Sequence, residues 1–223
     1  RYAAMVARED CEGDLLPALQ QIAPLTGQRV VEFGAGTGRI TRLLAPYVRS
    51  IYAFDNSYHM LCTALQTISP QRSHWLLAVG DNGQLPLPDS CADVAVAGWS
   101  FGHACGWFPH TWRKEIGRAL VEVQRVLRPG GIAIIVETQG TGQEEPAPPT
   151  PALAEYYHWL ETNHGFNFRW IRTDYQFESV AEADELTRFF FGDNLADRIV
   201  RDGITRLPEC TGLWWKTYLD GTS

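Results

Sequence analysis

Short apolar runs alternate with amphipathic segments along the first two thirds of the chain. Between the runs, apolar residues recur at the three- and four-residue spacing of a helix, as at Ile116, Leu120 and Val123. The runs are almost continuously apolar, which is typical of parallel strands buried on both faces. The alternation therefore predicts an α/β fold with helices on both faces of a largely parallel sheet. The predicted strands of this part are residues 30–33, 51–55, 74–79, 93–98 and 132–136.

The C-terminal third predicts further helices and strands. Ser179 and Glu182 have the spacing of a capping box, which predicts the start of a helix that runs to residue 191. The other elements predicted here are a helix over 152–160, a strand over 166–177, a helical stretch over 193–200 and a last strand over 213–219.

Length, charge and cysteine content narrow the class of protein. The chain has 223 residues and a formal charge of −7, with no run of Lys or Arg, so nucleic acid is not an expected partner. No apolar stretch reaches the ~20 residues of a membrane span. The five cysteines are odd in number and form no C-x-x-C pair. We therefore expect reduced thiols and a cytoplasmic location, with neither a disulfide framework nor a zinc site.

The N-terminus gives two further expectations. The chain begins at Arg1 without a methionine, so we expect native residues to precede it. The first residues do not have the pattern of a secretory signal peptide.

A glycine-rich turn follows the first predicted strand and opens a helix. Gly34, Gly36 and Gly38 give the order G-x-G-x-G, whereas a dinucleotide-binding turn has G-x-G-x-x-G. Strand, turn and helix in this order bring backbone N–H groups and a helix N-terminus close to a ligand. Glu32 lies inside the strand just before the turn. Its carboxylate suits a ligand with an ammonium group and would repel a pyrophosphate.

This combination resembles motif I of the class I S-adenosylmethionine-dependent methyltransferases. The resemblance implies a Rossmann-like seven-stranded sheet of order 3-2-1-4-5-7-6 with an antiparallel last strand. It also implies a single domain over 1–223, divided into an N-terminal helical cap (1–29), a cofactor-binding core (30–138) and a C-terminal part with lid helices and last strands (139–223). The motif residues implied to surround S-adenosylmethionine, or its product S-adenosylhomocysteine, are Glu32, Gly34, Ala35, Gly36 and Gly38.

A carboxylate ends the second predicted strand. Asp55 is placed to accept hydrogen bonds from both ribose hydroxyls of a nucleoside. Both methyltransferases and dehydrogenases bind ribose with a carboxylate at this position. Asp55 could equally cap the helix that starts near Ser57. The segment from Asn56 to Leu61 is similar to the family pattern, and the resemblance implies that Asn56 lies at the cofactor and that Met60 packs on the adenine.

Two later segments also resemble family motifs. Gly80, Asp81 and Asn82 precede a Leu-Pro-x-Pro-Asp sequence. In the family this acid accepts a hydrogen bond from the adenine amino group, and the following backbone N–H reaches a ring nitrogen. The alternative is a turn in which Asp81 and Asn82 satisfy their own backbone. The Leu-x-Pro-Gly-Gly sequence at 127–131 is the second motif, in which we expect Pro129 to end the helix over 109–127 before a tight reversal.

The segment after the fourth predicted strand holds the candidates for the acceptor side. Trp99 and Ser100 are expected at the cofactor, and His103 is the first choice for a general base, with His110 as a weaker one. A structural or surface role for His103 is the alternative. Glu137 could orient an acceptor or satisfy backbone groups. The segment lacks the Asn/Asp-Pro-Pro-Tyr/Phe motif of amino-group methyltransferases and the acid of a metal-dependent enzyme, so no metal is expected.

Aromatic residues are frequent in the segments that usually cover the acceptor. They suit a flat or apolar small molecule of natural-product or quinone type, although a lid core or a homodimer contact is the alternative. We expect a small-molecule methyltransferase. A non-catalytic binder of the cofactor, acting as a sensor or partner subunit, is the main alternative, and a nucleotide-dependent dehydrogenase is disfavoured by the glycine spacing and Glu32. The aromatics concerned are Trp107, Phe108, Trp112, Tyr156, Tyr157 and Trp159.

Overall fold

A computed structural model describes residues 2–68 and 74–219 of the chain. Its strands are β1 (Arg29–Phe33), β2 (Ser50–Asp55), β3 (Trp75–Val79), β4 (Ala92–Gly98), β5 (Leu127–Thr141), β6 (Asn167–Arg172), β7 (Tyr175–Gln176), β8 (Arg206–Leu207) and β9 (Glu209–Tyr218). Its helices are α1 (Tyr2–Val6), α2 (Leu15–Ile22), α3 (Arg39–Leu44), α4 (Tyr58–Thr67), α5 (His103–Trp107), α6 (Trp112–Val126), α7 (Pro151–His164), α8 (Val180–Phe191) and α9 (Asp193–Asp202).

Seven strands form one twisted sheet in the order β3-β2-β1-β4-β5-β9-β6. β1 to β5 are mutually parallel, and β9 is antiparallel to both of its neighbours, β5 and β6. Numbered within this sheet alone, the order is 3-2-1-4-5-7-6 with an antiparallel last strand, which confirms the prediction. The short β7 and β8 form a separate antiparallel pair that the sequence did not indicate.

The two faces of the sheet carry two separate hydrophobic cores. Val31 and Phe33 of β1 face a core built with α6 and α7, whereas Val30 faces a core built with α2 and α3. Because successive side chains of a strand point to opposite faces, Glu32 shares the face of Val30. A carboxyl side chain thus lies on a buried sheet face directly under α3, where it is 1% exposed.

The predicted strand over 166–177 is wrong in its length, because the chain breaks it after Arg172. The carbonyl groups of Thr173 and Asp174 accept hydrogen bonds from the backbone N–H groups of Asp10 and Cys11, both at 3.1 Å. These bonds tie the N-terminal segment to the end of β6. The chain then forms the short β7, which pairs with β8 instead of extending the main sheet.

The Leu-x-Pro-Gly-Gly segment does not end the helix in the predicted way. α6 already ends at Val126, and Leu127 belongs to β5, where it pairs with Ala92. The next pair joins Val94 to Ile132, so residues 128–131 form an irregularity inside the strand. Pro129 therefore lies in a bulged strand, and β5 is longer at both ends than the sequence indicated. Within the described ranges, no helix is both long and apolar enough to cross a membrane.

Candidate active site

A cavity of about 470 Å³ lies at the carboxyl ends of β1, β2 and β4. In open α/β sheets this edge is where ligands bind. Four loops that are far apart in the sequence contribute to it, which is why the motifs predicted separately come together here. The predicted residues that line this first cavity are Glu32, Gly34, Ala35, Gly36, Asp55, Asn56, Met60, Asp81, Asn82, Trp99, Ser100 and His103.

At Gly34 the glycine turn approaches the opposite wall so closely that it leaves no space for a side chain. Gly34 has φ +72°, and a Cβ atom built on it would lie 1.9 Å from the Ser100 Oγ. Gly36 has φ +54°, and a Cβ atom there would lie 3.6 Å from the Met60 Cε. Gly34 thus meets both a steric and a conformational requirement for glycine.

Gly38 differs from the other two glycines, because it does not line the cavity. It precedes α3 with φ +80°, and a Cβ atom on it would lie 2.8 Å from the Ile68 Cδ1 and 3.1 Å from the Ala64 Cβ. The structure therefore gives Gly38 a packing role, in which it lets the start of α3 lie against α4.

The Asp55 carboxylate connects the glycine turn to the end of β2. Its Oδ2 accepts a hydrogen bond from the Gly36 N–H at 2.8 Å, and its Oδ1 accepts one from the Ser57 N–H at 2.7 Å. The cap of α4 is Ser57, whose Oγ accepts from the Met60 N–H at 3.4 Å. Each carboxylate oxygen has a further lone pair, so Asp55 can still accept ligand hydroxyl groups.

Glu32 lies beneath the cavity and is hydrogen bonded to α3. The Thr41 hydroxyl donates to its Oε2. Burial raises the pKa of Glu32 to about 8, with the hydrogen bond from Thr41 opposing the shift and the negative charge of Asp55 adding to it. In the free protein at pH 7 this carboxyl group is therefore mainly neutral.

Asp81 and Asn82 form the wall that was predicted to face the adenine. The Asp81 Oδ1 accepts from the Gly83 N–H at 2.7 Å and its Oδ2 pairs with Arg118 at 3.2 Å, and these two contacts lower its pKa. The Asn82 Nδ2 donates to the Ser100 Oγ at 3.3 Å, whereas its Oδ1 is buried without a hydrogen-bond partner among the described residues.

The hydrogen-bond acceptors that line the first cavity fit S-adenosylmethionine. The side-chain acceptors of Glu32, Asp55 and Asp81 line it together with the unpartnered Asn82 Oδ1. A matching ligand carries several hydrogen-bond donors. S-adenosylmethionine has an ammonium group, two ribose hydroxyls and an adenine amino group. The close approach of the turn at Gly34 also leaves its backbone near the ligand space.

Trp99 has a strained backbone at the end of β4. Its φ is +48°, which is rare for a residue other than glycine, and its N–H donates to the Val136 carbonyl at 2.7 Å. The Arg39 guanidinium carbon lies 3.5 Å from the centroid of the Trp99 ring, in a cation–π contact. Such strain is often found where a side chain is held for function.

His103 begins the short helix α5 at the mouth of the cavity. Its ring stacks on Trp107 with the centroids 5.1 Å apart. Although the side chain still reaches solvent, the surrounding walls desolvate it and lower its pKa, while a hydrogen bond to the Trp99 backbone and the charge of Asp55 oppose the shift. The imidazole is therefore neutral at pH 7. His110 is exposed and lines neither this cavity nor the next one.

A second cavity of about 650 Å³ adjoins the first. Three residues, Arg39, Trp99 and His103, line both cavities. The remaining wall is mostly apolar and comes from the N-terminal segment with α1, from the end of β5 and the loop after it, and from α7, β7, α8, α9 and β9. Its apolar residues are Met5, Val6, Ala147, Pro149, Leu153, Tyr175, Phe190, Phe191 and Leu195.

The aromatic residues predicted to cover the acceptor lie in the core or at the first cavity. Trp112, Tyr156 and Tyr157 are buried in the core beneath the sheet, where Trp112 packs edge-on against Trp159 at 5.3 Å. Trp107 and Phe108 line the first cavity. None of the six lines the second cavity. Two residues of the phenylalanine run at 189–191, Phe190 and Phe191, line that cavity instead.

Glu137 has a structural position. It lines neither cavity, and its Oε1 accepts a hydrogen bond from the Gly102 N–H at 2.8 Å, just before α5. Burial raises its pKa to about 8, which that hydrogen bond partly opposes. Of the two roles open from the sequence, the structure shows the contact to the backbone. This contact fixes the start of the helix that carries His103.

The sheet order, the glycine turn and the set of carboxylates are those that the resemblance to class I methyltransferases implies. Residues 31–135 match the family model described as a methyltransferase domain. A ubiquinone/menaquinone biosynthesis C-methyltransferase from Rubrivivax gelatinosus is 29% identical over 146 residues, which is 61% of this chain and 53% of that protein. A malonyl-[acyl-carrier protein] O-methyltransferase from Pectobacterium atrosepticum is 32% identical over 48% of this chain and 37% of its own length.

The solved structures agree with this match. An S-adenosylmethionine-dependent methyltransferase from Aquifex aeolicus has the same fold, with a TM-score of 0.57 and 16% identity over 92% of this chain and 93% of its own. Residues 31–135 thus match a methyltransferase domain, as the motifs predicted, and the fold is that of an S-adenosylmethionine-dependent methyltransferase. It spans about half the length, or less, of the curated relatives named above.

Proposed function

We propose that this chain transfers the methyl group of S-adenosylmethionine to a small, mainly apolar acceptor molecule held in the second cavity. The observation that carries the proposal is the shared wall, in which Arg39, Trp99 and His103 line both cavities. The first cavity offers polar acceptors for a nucleoside and an amino acid. The second offers an apolar enclosure of a size that suits a small ring system. An acceptor bound there would meet the cofactor at the shared wall.

The chemistry required of the protein is mainly alignment. When bound, the cofactor supplies an electrophilic sulfonium methyl group. Holding a nucleophile in line with that group accounts for much of the acceleration in such reactions. His103 lies at the junction, where it would take up the proton that the acceptor loses on methylation. The lowered pKa of His103 keeps its imidazole in the neutral form that accepts a proton.

Support for the acceptor class comes from the cavity wall and from the relatives. The apolar wall of the second cavity favours a flat apolar molecule such as a quinol or an aromatic natural product. This wall includes Leu153, Tyr175, Phe190 and Leu195. By their names, one curated relative methylates carbon in quinone biosynthesis and the other methylates oxygen. A screen for the acceptor therefore includes molecules with both kinds of nucleophile.

The experiment that tests this proposal is a methyl-transfer screen with S-adenosylmethionine carrying a labelled methyl group. The acceptors are hydroxynaphthalenes, naphthoquinols and phenolic natural products, with transfer RNA and peptides as comparison substrates. Label in the small-molecule fraction is the expected result. Label only in RNA or peptide would overturn the proposal. Binding of S-adenosylhomocysteine with no transfer to any substrate would favour the non-catalytic binder instead.

We also propose a cytoplasmic location. All five cysteines are free, and Cys105 and Cys210 are buried. Free thiols of this kind are typical of proteins in a reducing compartment. Cell fractionation with an antibody to the chain tests this, and recovery only from an oxidising compartment would contradict it.

A further inference from the structure

A cluster of buried polar side chains lies in the otherwise apolar second cavity. Glu9, Arg39, Tyr175 and Glu209 all line it. The side chains of Glu9 and Arg39 are 4% and 15% exposed, and Glu209 is 1% exposed. A few convergent polar groups in an apolar pocket are what orients a small ligand. The methyltransferase motifs do not include these contacts, because the partners come from the N-terminal segment, α3, β7 and β9.

Glu9 is the member of the cluster whose hydrogen bonds are complete. Its Oε2 accepts from the Arg39 Nη1 at 2.8 Å and from the Tyr175 hydroxyl at 3.0 Å, and its Oε1 accepts from Thr173 at 3.4 Å. The ion pair neutralises Arg39 and holds its guanidinium against the Trp99 ring. Glu9 therefore positions Arg39 and has little capacity left for a ligand.

Two other atoms of the cluster have unused hydrogen-bonding capacity. The Arg39 Nη2 and the Glu209 Oε2 are buried without a hydrogen-bond partner among the described residues. The other oxygen of Glu209 accepts from the Thr138 hydroxyl at 2.7 Å. A buried polar atom without a partner costs about 1–3 kcal/mol. Two such atoms in one cavity wall indicate that a ligand supplies the missing partners.

We propose that Arg39 and Glu209 form a subsite for the hydroxyl group of a phenol or enol in the acceptor molecule. The inference rests on the proposed function, because it assigns the acceptor to the second cavity. A hydroxyl oxygen accepts a hydrogen bond from the Arg39 Nη2 and its proton is donated to the Glu209 Oε2. A methyl ether or a bare ring satisfies at most one of the two atoms.

Charge argues against an anionic ligand at this subsite. Arg39 is already paired with Glu9, so its charge is not free to hold a carboxylate or phosphate. Burial raises the pKa of Glu209 to about 8, the charge of Glu9 adds to the shift, and the hydroxyls of Thr138 and Thr141 together with the charge of Arg39 oppose it. A hydroxyl group suits either protonation state of Glu209, because it can both donate and accept.

The test uses two probes that differ only by a methyl group in place of the hydroxyl proton. The affinities of 2-naphthol and 2-methoxynaphthalene are measured by calorimetric titration, with and without saturating S-adenosylhomocysteine. We expect the wild type to bind 2-naphthol at least about tenfold more tightly than the ether, a factor that corresponds to about 1.4 kcal/mol. Two variants should each abolish most of this preference. Glu209→Gln puts a donor near the hydroxyl proton, and Arg39→Lys removes Nη2.

The matched control is Asn194→Ala, an exposed residue of the same cavity wall outside the cluster, which should keep the preference. Equal affinity for both probes in the wild type, or a preference that survives in both variants while S-adenosylhomocysteine still binds, would overturn the subsite. Failure of the proposed function has a different signature. In that case the chain would retain the preference for 2-naphthol but would not bind S-adenosylhomocysteine.

Discussion

The Asp55 Oδ2 accepts a hydrogen bond from the Gly36 N–H at 2.8 Å, so the end of β2 holds the middle of the glycine turn. Replacing Asp55 with Ala removes this bond and also the acceptors for ribose hydroxyls. Because hydrogen bonds to charged groups contribute about 1.5–3 kcal/mol, we expect S-adenosylhomocysteine to bind roughly 10- to 100-fold more weakly. Calorimetric titration measures the change.

The control for this variant is Asp89→Ala, which removes an exposed carboxylate paired with Arg125 outside both cavities. It should bind the ligand as the wild type does. Undiminished binding by Asp55→Ala would contradict the role of this carboxylate at the nucleoside.

Gly34 and Gly27 allow backbone strain to be separated from steric overlap. Both have a similar φ, +72° and +76°, but a Cβ atom on Gly34 would overlap the Ser100 side chain, whereas nothing lies within 4 Å of one on Gly27. Both changes to Ala carry the cost of a left-handed backbone, about 1–2 kcal/mol. Gly34→Ala should cost a further ~1–3 kcal/mol through overpacking. Urea unfolding of the two variants gives the difference.

A double variant tests the origin of that difference. Gly34→Ala combined with Ser100→Gly should recover most of the extra loss, because the overlapping atoms are gone. No recovery would show that the overlap with Ser100 is not the cause.

Glu32 should release a proton when the ligand binds. Its pKa of about 8 leaves it mainly protonated at pH 7 in the free protein. A ligand ammonium group nearby would favour the charged carboxylate and lower that pKa. We expect up to about one proton to be released per S-adenosylhomocysteine bound, which appears as a dependence of the calorimetric enthalpy on the ionisation enthalpy of the buffer.

Two variants distinguish a proton released by Glu32 from one released by another group of the protein. Glu32→Gln should abolish the release, whereas Glu137→Gln, a buried carboxyl group with a similarly raised pKa outside both cavities, should not change it. An enthalpy that is the same in all buffers for the wild type would contradict a contact between Glu32 and the ammonium group.

His103 should affect turnover without affecting cofactor affinity. As a general base, His103 would take the proton that the acceptor molecule loses on methylation. His103→Ala should therefore slow single-turnover methyl transfer by about 100-fold or more. Because its pKa lies below the usual value, the wild-type rate should be constant above pH 7 and fall only as the pH drops through this lowered pKa. His110→Ala, outside both cavities, is the control. A wild-type rate in His103→Ala would exclude the base role.

Local patterns sufficed to predict most of the sheet and the place of the first cavity. The strand before Gly34, the acid at Asp55 and the turn at Asp81 each depend on a few neighbouring residues. The strand order that the resemblance implied brings these three segments to one edge of the sheet, where they form one wall. The prediction of the sheet edge therefore followed from short motifs together with the order that the resemblance implied.

The second cavity was missed, because its residues are joined by contacts between distant parts of the chain. Glu9 meets Arg39 and Tyr175 across 30 and 166 residues of sequence, and Glu209 meets Thr138 across 71. No periodicity encodes such pairs. The break after β6 also involves such a contact, since the N-terminal segment donates hydrogen bonds to the carbonyl groups of Thr173 and Asp174.

A crystal structure of the chain with S-adenosylhomocysteine would show whether the cofactor lies between the glycine turn and the second cavity. We predict the nucleoside in the first cavity, with its ribose hydroxyls on Asp55, its adenine beside Met60 and Asp81, and its sulfur facing the second cavity past Trp99 and His103. A ligand bound elsewhere, or a sulfur atom turned away from the shared wall, would contradict the proposal that the two cavities bring cofactor and acceptor together.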